Sequence, residues 1–264
     1  MKLFQILFVL IIFSSICKAD TTITAFNNVH QKFGGGLDTR TVVDTFLFPT
    51  NLDSSSAIKM HLTLNCPAGG CDPWDRFAKI QAFHNNEWFE IGRYMTPYKK
   101  SCGWILDVSD YRSMLSDTVI LKSFIDTWVN PGWLVHIDFE FISGTPANKI
   151  IKVENLWVSD NVVYGDNSQP ITLPAITKTI DASATLVKLR MVNTGHGQGN
   201  TDNAAEFSQK THNILVNGST AFSQLLWRSN CGSNPCSPQS GTWQYNRAGS
   251  VSYTHLRAHE TKAN

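Results

Sequence analysis

The chain has 264 residues, 42% of them hydrophobic and 16% charged, with a formal net charge of +1. That length suits one large or two small β domains, and the apolar fraction is enough for a sizeable core, which excludes a disordered protein. Lys and Arg are scattered and form no basic stripe that could neutralise phosphates, so we expect no nucleic-acid partner.

The N-terminus has the pattern of a secretory signal. A charged start, Met1-Lys2, precedes an apolar run over 3–13 that is too short to cross a bilayer comfortably. We therefore predict a signal peptide over 1–19, cleaved after Ala19, and a secreted or extracytoplasmic protein with no membrane association after cleavage. A retained N-terminal anchor is the alternative.

Cysteine spacing indicates a disulfide-bearing protein. The cysteines after the predicted signal are Cys66, Cys71, Cys102, Cys231 and Cys236. Cys66 and Cys71 bracket a short Pro- and Gly-containing loop, which favours a local disulfide over metal binding in an oxidising compartment. The odd count indicates a free thiol or a missing partner, and the pairing of the other three stays open.

Strand patterns dominate the first half of the chain. Apolar residues alternate strictly over 58–64 and over 133–141, which predicts two half-buried strands. Short β-prone runs lie between them at 77–83, 88–91, 104–108 and 119–125, a spacing typical of an antiparallel sandwich. The segment 109–115 opens with a residue type that caps helices well and is the one place where we predict a helical turn.

A second series of strands follows the turn-like sequence Gly144-Thr145-Pro146. Its predicted members are Ile150–Trp157, an alternating run over 187–191, and Ile214–Val216. We therefore predict two β domains joined near Pro146.

Candidate site residues cluster in three segments that are dense in polar groups and rings, at predicted strand ends or in loops: 71–76, 126–128 and 195–206. Asp75 stands between Trp74 and Arg76. It is either a carboxylate held between a ring and a cation or an ordinary surface ion pair, and spacing alone favours the ion pair.

Glu206 is the second candidate carboxylate. It lies between Ala205 and Phe207, and if this apolar setting is buried it would raise the pKa of the carboxyl and suit a proton donor. A solvated loop glutamate is the alternative. Two carboxylates would serve glycosidase-type chemistry and amide hydrolysis alike.

Other motifs point away from nucleotides and metals. The glycine-rich run at 195–199 is followed by no predicted helix, so we do not expect it to bind phosphate. His196 and His212 have no second histidine at the close spacing of a metal site, and we interpret them as structural histidines rather than as metal ligands.

Stretches spread over nearly the whole mature chain carry a family resemblance. They are Cys71–Ala78, Trp88–Arg93, Thr96–Tyr98, Thr127-Trp128, Ala205–Phe207, Thr211-His212 and Asn246–Gly249. In this order they resemble the peptide-N-glycosidase F family of glycoamidases. The resemblance implies an all-β fold of two adjacent antiparallel jelly-roll domains, at 20–147 and 148–249, with the site at their interface and no metal or organic cofactor.

The resemblance also implies an activity and its substrates. The activity is hydrolysis of the amide bond between N-acetylglucosamine and asparagine in N-glycosylated peptides or proteins, which releases the glycan and converts Asn to Asp. We expect a monomer. A secreted carbohydrate-binding module without catalysis, with Trp74 and Trp128 as sugar platforms, is the alternative.

Site roles follow from the same resemblance. Asp75 matches the primary catalytic aspartate and Glu206 the second acidic residue. Asp126 stands where the family has a glutamate before Thr-Trp, so its side chain is one methylene shorter. Trp74, Arg76, Trp128 and Arg247 match family positions near the glycan or the catalytic groups, and we assign them to substrate binding together with His196.

The chain departs from the family in two places. Ala204 and Ser208 stand where cysteines flank the second acidic residue. After Gly249 the sequence no longer follows the family, so we interpret 250–264 as a non-native tail and the second jelly roll as truncated. A cysteine missing from that region would explain the odd count.

Overall fold

The computed structural model describes residues 19–158, 173–195, 209–227, 229, 236 and 259–261. The strands in this part of the chain are β1 (Thr21–Gln31), β2 (Phe33–Gly34), β3 (Leu37–Asp38), β4 (Thr41–Leu47), β5 (Ser55–Asn65), β6 (Phe77–His84), β7 (Glu87–Met95), β8 (Cys102–Asp107), β9 (Thr118–Ile125), β10 (Trp133–Ser143), β11 (Val187–Leu189), β12 (Lys210–Val216), β13 (Ser219–Leu226) and β14 (His259–Thr261). Within these residues, no helix has the length and apolar character to cross a membrane.

Two four-stranded antiparallel sheets form a sandwich from the first half of the chain. Their strand orders are β1-β10-β5-β8 and β4-β9-β6-β7. Except where β6 passes directly to β7, each strand of the sandwich is followed along the chain by one in the opposite sheet, which is the arrangement of an eight-stranded jelly roll. This confirms the predicted all-β, antiparallel jelly-roll architecture.

The core lies between the sheets, and the alternation in the sequence builds it. Ile58, Met60, Leu62 and Leu64 of β5 are at most 1% exposed. In β10 the buried residues are at most 3% exposed: Trp133, Val135, Ile137, Phe139 and Phe141. Burying one such side chain contributes about 1.5–3 kcal/mol, so these two central strands supply much of the hydrophobic stabilisation.

A short helix follows β8, where the sequence predicts a helical turn. It is a 3-10 helix over Ser109–Met114 without a side-chain N-cap. The Ser109 hydroxyl accepts a hydrogen bond from the Ile58 backbone N–H at 2.9 Å, so the expected capping residue joins the turn to β5 instead.

The second strand series is only partly as predicted. Val187–Leu189 forms β11, which pairs with β14, and the strand predicted near Ile214 is β12, which pairs with β13. Ile150–Trp157 is not a strand, which corrects the prediction. The Asn155 amide reaches the Trp88 carbonyl of β7 at 3.2 Å, and this segment contacts the sandwich through side chains instead of a strand ladder.

The described residues form two disulfides. Cys66 pairs with Cys71, as predicted, and Cys102 of β8 pairs with Cys236, which is 134 residues away in the sequence. Spacing could not assign this second pair. Cys231, the remaining cysteine of the five, lies outside the described residues.

Candidate active site

Four chain segments meet at one edge of the β4-β9-β6-β7 sheet. Because neighbouring strands are antiparallel, the start of β4 and of β6 lies beside the end of β7 and of β9. The pairs nearest this edge are Thr41↔Phe124, Ala78↔Ile125 and Phe77↔Met95. We call this end the site edge, and its residues are Arg40, Asp72–Arg76, Thr96 and Asp126–Trp128.

Asp72 is the buried hydrogen-bonding centre of the site edge. Its side chain is inaccessible to solvent. It accepts hydrogen bonds from the Trp74 backbone N–H at 2.9 Å, from Arg76 Nε at 2.8 Å and from the Thr127 hydroxyl at 2.5 Å. One carboxylate therefore fixes the segment before β6 and joins it to the segment after β9.

Thr96, just beyond β7, holds the same segment from the other neighbouring strand. The Arg76 N–H donates to Thr96 Oγ1 at 2.8 Å, and the Thr96 N–H donates to the Arg76 carbonyl at 2.9 Å. The Thr96 hydroxyl also reaches the Trp74 carbonyl at 3.3 Å. The backbone on both sides of Asp75 is therefore fixed before any ligand arrives, which is the preorganisation that a catalytic group needs.

Asp75 itself is buried, at 7% exposure. Asp75 therefore lies beneath the surface and not on it. Arg76 gives the hydrogen bonds of its guanidinium to Asp72. Trp74, the preceding residue in the chain, is 56% exposed, so a buried acidic residue and an exposed ring are neighbours in the sequence at the site edge.

The loop after β9 is tied down at both ends. The Asp126 N–H donates to the Phe77 carbonyl at 2.9 Å, and the Gly132 carbonyl accepts from the Asp72 N–H at 3.1 Å. Gly132 has φ +56°, and a Cβ at this position would lie 2.0 Å from the Gln31 carbonyl oxygen. Only glycine fits there, and its presence lets the loop turn back to Asp72.

Trp128 and Asp126 face a second cation, Arg40, which lies just before β4. The Arg40 Cζ lies 4.2 Å from the Trp128 ring centroid and 4.6 Å from that of Phe33. Arg40 Nη1 is 3.8 Å from Asp126 Oδ1. Asp38 accepts from Arg40 Nε at 2.9 Å and from Nη2 at 2.7 Å, and these hydrogen bonds lower the pKa of Asp38 and raise that of Arg40.

Comparison with known proteins shows the family of this chain. The family model described as "Peptide-N-glycosidase F, C terminal" matches residues 164–254. The peptide-N(4)-(N-acetyl-beta-D-glucosaminyl)asparagine amidase F of Elizabethkingia miricola is 34% identical over 253 residues, covering 88% of this chain and 70% of that relative. The chain belongs to the peptide-N-glycosidase F family.

Solved structures give the same family. PNGase F from Flavobacterium meningosepticum, described as a glycosylasparaginase, superposes with a TM-score of 0.75 at 29% identity, and the match covers 94% of this chain and 84% of that one. A structure of PNGF-II matches with a TM-score of 0.58 at 15% identity, over 92% of this chain and 58% of that one, which shows the fold alone.

The structure brings five predicted site residues of this family member to the site edge: Trp74, Asp75, Arg76, Asp126 and Trp128. The other predicted residues, His196, Glu206 and Arg247, lie outside the described residues. Within the part of the chain that the structure describes, no group of three or more His, Cys, Asp or Glu side chains could hold a metal ion.

Sequence reasoning gave no role to Asp72, Thr96 or Arg40. The role of Asp72 has a local sequence signal, because an aspartate commonly accepts a hydrogen bond from the backbone N–H two residues later and so forms a turn. Thr96 and Arg40 carry no such signal, since their roles depend on which strand ends lie side by side.

Proposed function

We propose that this protein hydrolyses the amide bond between N-acetylglucosamine and asparagine in N-glycosylated peptides or proteins. The observation that carries the proposal is the buried carboxylate of Asp75, at 7% exposure between exposed Trp74 and firmly held Arg76, in a chain of the peptide-N-glycosidase F family. The curated relative is named for this amidase activity.

The chemistry needs one water and no net redox change. Water adds to the asparagine side-chain carbonyl, and the bond from the carbonyl carbon to the amide nitrogen breaks. The nitrogen leaves with the sugar as a glycosylamine, and the carbonyl carbon becomes the carboxyl of Asp. Asp75 acts as the base that orients the water and takes its proton, and Glu206 is the group that activates the bond or donates to the leaving nitrogen.

Substrate binding is supported by the two exposed rings at the site edge. Trp74 is 56% and Trp128 is 52% exposed, and an exposed indole offers an apolar face to the C–H side of a sugar ring. Arg76 is held by Asp72 near these rings. We assign His196 and Arg247 to the same substrate-binding set, and Asp126 as the third acidic residue.

The setting of the enzyme follows from the same features. We propose a monomer with two jelly-roll domains, over 20–147 and 148–249, with the site at their interface. The two disulfides suit an extracytoplasmic compartment, in agreement with the signal-like N-terminus over 1–19.

The decisive experiment replaces Asp75 with Asn and compares binding with turnover. An N-glycopeptide is incubated with each protein, the products are measured by mass spectrometry, and binding is measured by calorimetry. We expect kcat to fall about 10²- to 10⁴-fold while glycopeptide affinity is retained.

The matched control is Asp44→Asn, which neutralises an exposed carboxylate on β4 of the same sheet. It should retain the parent kcat and affinity. If the parent protein binds the glycopeptide without cutting it, and Asp75→Asn binds equally well, the protein is a carbohydrate-binding module and the hydrolase proposal is wrong.

A further inference from the structure

Arg40 is enclosed by protein groups at the site edge. Its guanidinium is packed against two rings, those of Trp128 and Phe33, whose centroids lie 5.3 Å apart in an edge-on contact. Its side chain is only 19% exposed, although it stands at the end of a sheet among loops.

The hydrogen-bond donors of Arg40 point inward as well. Nε and Nη2 form a two-pronged contact with the Asp38 carboxylate, and Nη1 lies 3.8 Å from the carboxylate of Asp126. The Arg40 backbone is fixed too, because its carbonyl accepts from the Ile125 N–H at 3.0 Å and from the Gln31 amide at 2.6 Å. With its donors turned to two carboxylates, Arg40 is poorly placed to bind a substrate itself.

Trp128 has much weaker support of its own. It is 52% exposed on a loop, and the side-chain contacts described for its indole are those with Phe33 and Arg40. Trp is the best aromatic partner for a cation, and a planar guanidinium stacked on the indole face stabilises the ring orientation that keeps the two planes in contact.

We propose that Arg40, held by Asp38, is a positioning residue that fixes the Trp128 ring as a platform for a sugar ring of the substrate. This proposal rests on the proposed function, because it takes the Trp128 ring to be a glycan contact. If the ring is already fixed in the free protein, less side-chain entropy is lost when the substrate binds. Loss of Arg40 should therefore weaken ground-state binding of the substrate and raise KM.

Arg93 lies in a similar arrangement elsewhere in the same sheet and serves as a matched control for Arg40. Arg93 also forms a two-pronged contact with a carboxylate, that of Glu90, at 2.7 Å for both bonds, and its Cζ lies 4.7 Å from the Phe77 ring centroid. Its side chain is 13% exposed, close to the value for Arg40. Arg93 therefore matches Arg40 in charge, pairing and stacking, but the ring described beneath its guanidinium is Phe77 and not Trp128.

The test measures KM and kcat for an N-glycopeptide with Arg40→Gln, Arg40→Lys and Arg93→Gln. We expect Arg40→Gln to raise KM about 2- to 30-fold, the range of a cation–π contact, with kcat nearly unchanged. Arg40→Lys should recover part of the loss, and Arg93→Gln should leave KM at the parent value. Melting temperatures confirm that each variant is folded.

A double-mutant cycle separates positioning from a general structural effect. In a Trp128→Ala background, Arg40→Gln should have no further effect on KM, because the ring that it positions is gone. An unchanged KM in folded Arg40→Gln, or an Arg40 effect that persists in full without Trp128, would overturn the proposal.

Failure of the proposed function would look different. If the parent protein leaves the glycopeptide uncut and unbound, the proposed function fails, and the same cycle is then measured by chemical unfolding. A coupling free energy between Arg40 and Trp128 in that experiment would support the proposal that Arg40 positions the Trp128 ring, and the absence of coupling would overturn it.

Discussion

Two arginines at the site edge each form a two-pronged contact with an aspartate, Arg76 with Asp72 and Arg40 with Asp38, and these two pairs differ in burial. In the inner pair, Asp72 has a fully buried side chain and Arg76 is 17% exposed. In the outer pair, Asp38 is 49% and Arg40 19% exposed. The inner pair is part of the fold, because its Asp72 also accepts a hydrogen bond from Thr127 and so joins the segment before β6 to the segment after β9. The outer pair instead holds the guanidinium that stacks on the exposed Trp128 ring.

The inner pair should be the more costly to break. Asp72→Asn removes the charge that pairs with Arg76 and weakens the acceptor for Thr127, so the unfolding free energy should fall by about 3 kcal/mol. Denaturant unfolding of the purified protein measures it, with Asp44→Asn as the control. A loss as small as that of the control would mean that the site edge does not depend on this carboxylate.

The outer pair should contribute little to stability. Asp38 is largely open to solvent, and exposed ion pairs are screened by water and salt. Asp38→Asn should leave the unfolding midpoint at the parent value while raising KM for an N-glycopeptide in the same direction as Arg40→Gln. A stability loss equal to that of Asp72→Asn would remove the distinction between the two pairs.

A smaller effect should come from the second strand series. Burial lowers the pKa of His212 from its usual 6.5, so the unfolded chain takes up a proton at a higher pH than the folded chain. The contribution of neutral His212 to the unfolding free energy is therefore fully present above pH 6.5 and decreases as the pH falls below it. His212→Gln should reduce the change in unfolding midpoint between about pH 8 and pH 5, and an identical pH dependence in both proteins would contradict this.

Local patterns predicted the sandwich well, because each strand buries one face against the same core. The alternation over β5 and β10 needed no knowledge of partners. The strand predicted at Ile150–Trp157 is wrong because apolar content alone does not provide a partner strand. This segment contacts β7 through the Asn155 side chain and not through a backbone ladder.

The site could be predicted only where the resemblance supplied it. Asp75, Trp74 and Trp128 were named by their motif, whereas the burial of Asp72 and its bond to Thr127 depend on β6 and β9 lying side by side. The pairing of Cys102 with Cys236 likewise joins positions far apart in the sequence. Single-sequence patterns do not contain such long-range neighbours.

The measurement that tests the account most directly is hydrolysis of an N-glycopeptide in water enriched in heavy oxygen. We expect the parent protein to release the glycan and leave Asp with one heavy oxygen in its side chain, and Asp75→Asn to form almost none of this product. Released glycan together with unlabelled Asp or with unchanged Asn would contradict amide hydrolysis. Formation of labelled Asp by Asp75→Asn at the parent level would contradict the role of Asp75 at the site edge.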